Sequence, residues 1–174
     1  MNGEENNPQP KKGGYFMSRI EKKKKLILII STSILTLFFV YNAAYFYVRN
    51  SYHSYITNFD TTIKHFSYHK INTTKHYVAN VKYPSYGSFT GNLAINTQNN
   101  DYGLIIWPKY NSEPEISLQG SIDSPVEDNE QHIQLNNGSI DLTHSSLPKD
   151  TQTIVLKLEE EAKLLWGDDI LKKR

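Results

Sequence analysis

The chain has no cysteine. That absence removes disulfides, a thiol nucleophile and a lipid-modified cysteine together. Domains outside the cell in strongly oxidising compartments often staple themselves with disulfides, so any such domain here must hold by its core alone. Catalytic signatures are also missing. There is no G-x-S-x-G, no phosphate-binding glycine loop and no K-T-G. A third absence is local: residues 26–48, 23 in a row, carry no charge.

At 1.5 Å per residue that run reaches roughly 34 Å, enough to cross a hydrocarbon core of about 30 Å. It reads as a single transmembrane helix. Before it stand Lys11, Lys12, Arg19 and Lys22 to Lys25 against Glu4, Glu5 and Glu21, and directly after it only Arg49. The positive-inside bias then places the N-terminus in the cytoplasm and the C-terminal domain outside, as a single-pass protein of the cell membrane. Tyr41, Tyr45, Phe46 and Tyr47 crowd the far end, as in an interfacial aromatic belt. A cleaved signal peptide would have a shorter apolar region and a small-x-small site. The Ala43-Ala44 pair follows Tyr41 and Asn42, so an uncleaved anchor is expected. Ser31, Thr32, Ser33, Thr36 and Asn42 interrupt the run. Their hydroxyls and amide can bond back to the helix's own carbonyls; the alternative is a helix–helix contact.

Charge is lopsided. Through residue 49 the chain has eight Lys/Arg and three Glu; beyond it, eleven Lys/Arg and fifteen Asp/Glu. Residues 1–25 are polar and read as a disordered cytoplasmic tail drawn to anionic lipid. The mildly acidic remainder argues against nucleic-acid binding. A cysteine-free domain rich in Asn, Lys, Ile and Tyr fits a bacterial envelope protein, which makes Asn72-Thr73-Thr74 and Asn137-Gly138-Ser139 chance sequons.

Beyond the anchor, Tyr52, Tyr55, Ile56, Phe59, Ile63 and Phe66 recur at spacings of three and four, one stripe of a helix. No Pro or Gly separates them from the anchor, so residues 49–70 are expected to form a juxtamembrane amphipathic helix, continuous with the anchor or kinked. The stripe needs cover, from a β-sheet behind it, a second copy or another protein. Residues 71–174 then read as an extracytoplasmic α+β domain. Short apolar or β-branched runs at 77–83, 88–96, 102–107, 115–122, 132–135, 139–142 and 151–158 alternate with turn compositions, giving a mostly antiparallel sheet of about six strands. Asn137-Gly138 is the best hairpin turn, since type I′ needs positive φ at both positions. Residues 124–131 read as an exposed acidic loop. Glu159-Glu160-Glu161 opens a C-terminal helix and Lys172-Lys173-Arg174 ends it, with Leu158, Ala162 and Leu165 inward and a break near Gly167.

Candidate chemistry is sparse. His65 and His69 have the i, i+4 spacing of a zinc pair, but Phe66 stands where an H-E-x-x-H protease has its glutamate and no third ligand is specified. Ser67-Tyr68-His69-Lys70 and Ser146-Leu147-Pro148-Lys149 match S-x-x-K, too short a pattern to carry an assignment in a domain of about 125 residues. No catalytic residue, cofactor or metal is assigned, and no enzyme activity is expected. Lys64, His65, Lys70, Lys75, His76 and Lys82 form a basic band that reads as a solvated face. Eleven of the twelve tyrosines lie between Tyr41 and Tyr110. Tyr83, Tyr86, Trp107 and Tyr110 flank expected turns and are the candidates for a ligand surface that stacks on sugar rings or peptide; strand and interface preference is the favoured reading of the tyrosines and needs no ligand.

The sequence therefore points to a non-enzymatic, single-pass scaffold or accessory subunit of a secretion- or conjugation-like surface assembly. Its expected partners are the lipid bilayer and a membrane or surface protein, or a second copy, met through Tyr52, Tyr55, Ile56, Phe59, Ile63 and Phe66. The alternative is a wall-glycan or peptide-binding module; a pilin-like subunit comes third.

Overall fold

A computed structural model describes residues 13–57, 59, 67–72, 77–120 and 130–173. The chain divides into two compact units, Met1–Ala44 and Tyr45–Arg174.

Helix α1 spans Gly13–Ser51. It starts within the stretch expected to be disordered, so Lys22 to Lys25 lie on a helix. Its middle holds no helix breaker, and the side chains from Leu26 to Val40 are exposed. Among the described residues this is the one helix long and apolar enough to cross a membrane, and none of its most apolar window is buried. Three of the polar interruptions bond within the helix. Thr32 Oγ1 donates to Leu28 O at 2.8 Å, Thr36 Oγ1 to Thr32 O at 2.9 Å and Asn42 Nδ2 to Phe38 O at 2.7 Å. These are back-bonds of the kind that hydroxyls and amides make to the carbonyl one turn earlier.

After Ser51 the helix tightens into a 3₁₀ segment, Tyr52–Ile56. Three hydroxyls bond backward around it: Ser51 to Val48 O, Ser54 to Ser51 O and Thr57 to Ser54 O. Each i→i−3 bond favours the tighter coil. The expected helix over 49–70 is thus corrected, because Ser67–Asn72 is a strand, β1. Residues 58 and 60–66, with Ile63, His65 and Phe66, lie outside the described residues.

Among the described residues seven antiparallel strands follow in a meander in which each pairs with the next: β1, then β2 Tyr77–Lys82, β3 Asn92–Thr97, β4 Tyr102–Trp107, β5 Glu115–Gly120, β6 Glu130–Asn136 and β7 Ser139–Asp141. This is the α+β layout the sequence implied. The turns sit where their residues allow. Asn137 (φ 54°) and Gly138 (φ 75°) form the β6–β7 hairpin, and Asn100 and Asn111 take positive φ in two other connections. Glu130 and Gln131, expected in a loop, belong to β6; residues 121–129 lie outside the described ones.

Strand alternation sorts the side chains by face. One row across the sheet is Val81, Leu93, Ile106, Ile116 and Ile133; the next is Ala79, Ile95, Leu104 and Leu118. Apart from the half-buried Ile133, these side chains are buried and form the core. Against this core packs α2, Lys149–Trp166, which directs Thr151, Val155, Leu158, Ala162 and Trp166 inward. Residues 151–158 were expected as a strand and are helix. Their β-branched residues suggest a strand, but the burial spacing of four, three, four and four is that of a helix. Gly167 (φ 102°) caps the C-terminus, its N–H bonding Lys163 O. The chain then turns back to bury Ile170 and Leu171.

Glu159 is buried on α2 and serves the sheet. Its Oε1 accepts from the backbone N–H of Ile140 at 3.2 Å and from Lys163 Nζ at 2.6 Å, and Lys163 also donates to Ser139 Oγ. The helix is thereby tied to the short edge strand β7.

Candidate functional site

In the Tyr45–Arg174 unit, the end of α1 meets the loop between β2 and β3. Tyr45, Arg49 and Tyr52 lie one turn apart, so they share a face of the helix. The Tyr45 ring packs edge-on against Tyr86 (centroids 4.9 Å apart) and Phe89 (5.8 Å), and its hydroxyl approaches Pro84 O at 3.5 Å. Arg49 Nη1 donates to the Tyr45 hydroxyl at 3.0 Å, and its guanidinium lies 5.1 Å from the centre of the Tyr83 ring. That distance is within cation–π range. Tyr52 donates its hydroxyl to Gly91 O at 3.1 Å and stacks its edge on Tyr55.

The loop is shaped to make these contacts. Ser85 O accepts from Phe89 N, Ser85 N donates to Thr90 O, and the Ser85, Ser88 and Thr90 hydroxyls bond among themselves. Phe89 takes φ 56°, unusual for a bulky residue; the closed loop and the packing on Tyr45 hold it there.

Beside this seam opens a cavity of about 430 Å³ lined by Phe46, Arg49, Asn50, His53 and Tyr83. The four helical members fall at i, i+3, i+4 and i+7, a single stripe. No family model, curated protein or solved structure matches this chain. The site must be read from its own chemistry. It offers a guanidinium, a carboxamide and an imidazole between two aromatic walls, with no carboxylate among the lining residues.

The residues singled out from sequence scatter over the domain. Tyr52, Tyr55, Ile56 and Phe59 are buried in the core, where the 3₁₀ segment packs on β2. Their cover is the sheet behind them. Of the four ligand-surface candidates, Tyr83 is buried, Trp107 half-buried, and Tyr86 (46%) and Tyr110 (82%) exposed. Strand directions put the β2–β3 and β4–β5 connections at the same end of the sheet, so all four lie near that end. Arg49, Asn50 and His53 match no motif as a set. Their i, i+1, i+4 spacing directly after the uncharged run was the available signal.

Other candidates come to less. His69 and Lys70 lie on β1; His65, His76, Lys64 and Lys75 fall outside the described residues. Among the described residues no group of three or more His, Asp or Glu could hold a metal ion. A smaller cavity of about 130 Å³ lies at β6 and β7, with His132, Asp141 and His144 in its wall. There Asp141 accepts from the Thr143 hydroxyl and backbone N–H, which holds its carboxyl below its ordinary pKa.

Proposed function

We propose that this protein is a single-pass, membrane-anchored scaffold or accessory subunit, its helix spanning the bilayer and its sheet domain outside the cytoplasm. The observation that carries the reading is the absence of a linker. Tyr52, four residues past the uncharged run, is already in the domain core, followed by Tyr55, Ile56 and Phe59. Core residues that follow an anchor this soon in sequence suit a domain presented near a membrane for another protein to bind. The exposed span supports anchoring, and the Lys22-to-Lys25 run against the lone Arg49 supports the orientation. The partner would meet the outer sheet face or loops, since the described part of the Tyr52 stripe is covered internally.

Crosslinking with mass spectrometry on the full-length protein in its native membrane tests this. Links from Lys82, Lys109 and Lys157 to one recurring membrane or surface protein are the expected result. Self-links alone would replace the scaffold by a homo-oligomer. The absence of any links would favour the second reading, a glycan- or peptide-binding module, whose support is the exposure of Tyr86 and Tyr110 at one end of the sheet.

A further inference from the structure

We propose that the cavity lined by Phe46, Arg49, Asn50, His53 and Tyr83 binds the phosphate headgroup of an anionic phospholipid, an inference that rests on residues 26–48 spanning a bilayer. Its position along the helix makes the case. Phe46 belongs to the last turn of the uncharged run, and Arg49 is the first charge after it. His53 lies one further turn on. The rise from Arg49 to His53 is about 6 Å, comparable to the thickness of one headgroup layer. Lining residues thus pass from apolar to cationic and polar in the order in which a membrane passes from acyl chain to headgroup.

The surroundings fit that depth. Phe46 and Tyr47 are 61% and 70% exposed, and aromatic side chains at the end of an apolar span suit a membrane interface. Tyr45, in the same turn, holds Tyr86 and Phe89, so the β2–β3 loop adds aromatic side chains at the same level. The basic group is already placed: Tyr45 and Tyr83 fix the Arg49 guanidinium at the cavity wall. A guanidinium carries a planar fork of donors suited to phosphate, with the Asn50 amide and the His53 ring beside it. A soluble anion would need the polar members alone. The Phe46 wall is what assigns the site to a lipid.

The test uses the full-length protein in nanodiscs of equal parts phosphatidylcholine and phosphatidylglycerol, with retained lipid counted by native mass spectrometry. Wild type is expected to keep phosphatidylglycerol in preference to phosphatidylcholine. Arg49→Gln should lower that retention by about fivefold, the effect of one cation at a membrane surface. Asn50→Asp, isosteric and at an exposed position, should lower it as well by placing a carboxylate in the cavity. Lys157→Glu, on the outer face of α2, should leave it unchanged. If both cavity variants, folded by circular dichroism, retain lipid as wild type does, the site is overturned while the anchor stands. An equal loss with Lys157→Glu would overturn it as general electrostatics. Millimolar inorganic phosphate displacing the lipid from detergent-solubilised protein would reassign the site to a soluble anion. Failure to enter nanodiscs at all would overturn the anchor and the site together.

Discussion

Gly91 sits where backbone closes in on it from two sides. A Cβ built there would collide with the Lys82 carbonyl and lie 2.8 Å from both the Pro84 nitrogen and the Tyr52 ring. Two of these neighbours are backbone, so they cannot swing aside. Gly91→Ala should therefore destabilise the fold by about 1–3 kcal/mol, the range for forced overpacking, read from urea unfolding of the full chain in detergent. Glu115 offers a milder test. Lys109 donates to it, which holds its carboxyl below the ordinary glutamate range. A depressed carboxylate pKa stabilises the native state above the unfolded-state pKa, and that contribution is lost as pH falls through the lower folded-state pKa. Glu115→Gln should thus be slightly less stable than wild type at pH 7. Below both pKa values the two proteins should coincide. Both groups are exposed, so the gap will be small; a gap that widens in acid would contradict the assignment.

At the scale of elements, α2 shows how pattern and propensity can disagree. Thr151, Thr153, Ile154 and Val155 resemble a strand by composition, yet the segment is helical from Lys149. In a strand, Leu156 and Leu158 would share a face; in α2 Leu158 is buried and Leu156 is half exposed. Leu158→Ala should cost about 2–5 kcal/mol, as for other large core truncations. Leu156→Ala should stay within about 0.5 kcal/mol of wild type. Equal losses in thermal or urea melts would favour the strand. Turn chemistry was the more legible signal: Asn137-Gly138, Pro84 and the Asn-rich connections located most strands to within a few residues, because positive φ and a missing N–H leave few choices. Propensity was weaker because β-branched residues accept either structure once packing decides. The Tyr52 stripe is helical only through Ile56, and Tyr52, Tyr55, Ile56 and Phe59 lie in the domain's own core, where the sequence pointed to a partner interface. Its spacing could not say what buried it, since that depends on where the meander returns. The cavity at Arg49 was illegible for the same reason: Tyr83 reaches it from a different element.

For the whole molecule, the two ends of the uncharged run carry the organisation. Seven Lys/Arg precede it, and Arg49 alone follows it directly. If this asymmetry sets topology, it should be possible to erase it by substituting exposed residues at both ends of the run. Replacing all four by Gln leaves three cations before the run. Adding a short cytoplasm-retaining bias on the other side, with Asn50→Lys and Ser54→Lys on exposed positions, brings the count after the run to three. The positive-inside rule then has little to act on. The expected result is a mixed population, in which protease added to sealed, right-side-out vesicles degrades the sheet domain in only part of the protein. Wild type should be degraded throughout, leaving a protected fragment that contains the span. A wild-type domain fully protected in the same vesicles would reverse the proposed orientation, and with it would move the Arg49 cavity to the inner leaflet. The cavity's chemistry would survive that reversal, because it depends on depth along the helix and not on which side the domain lies.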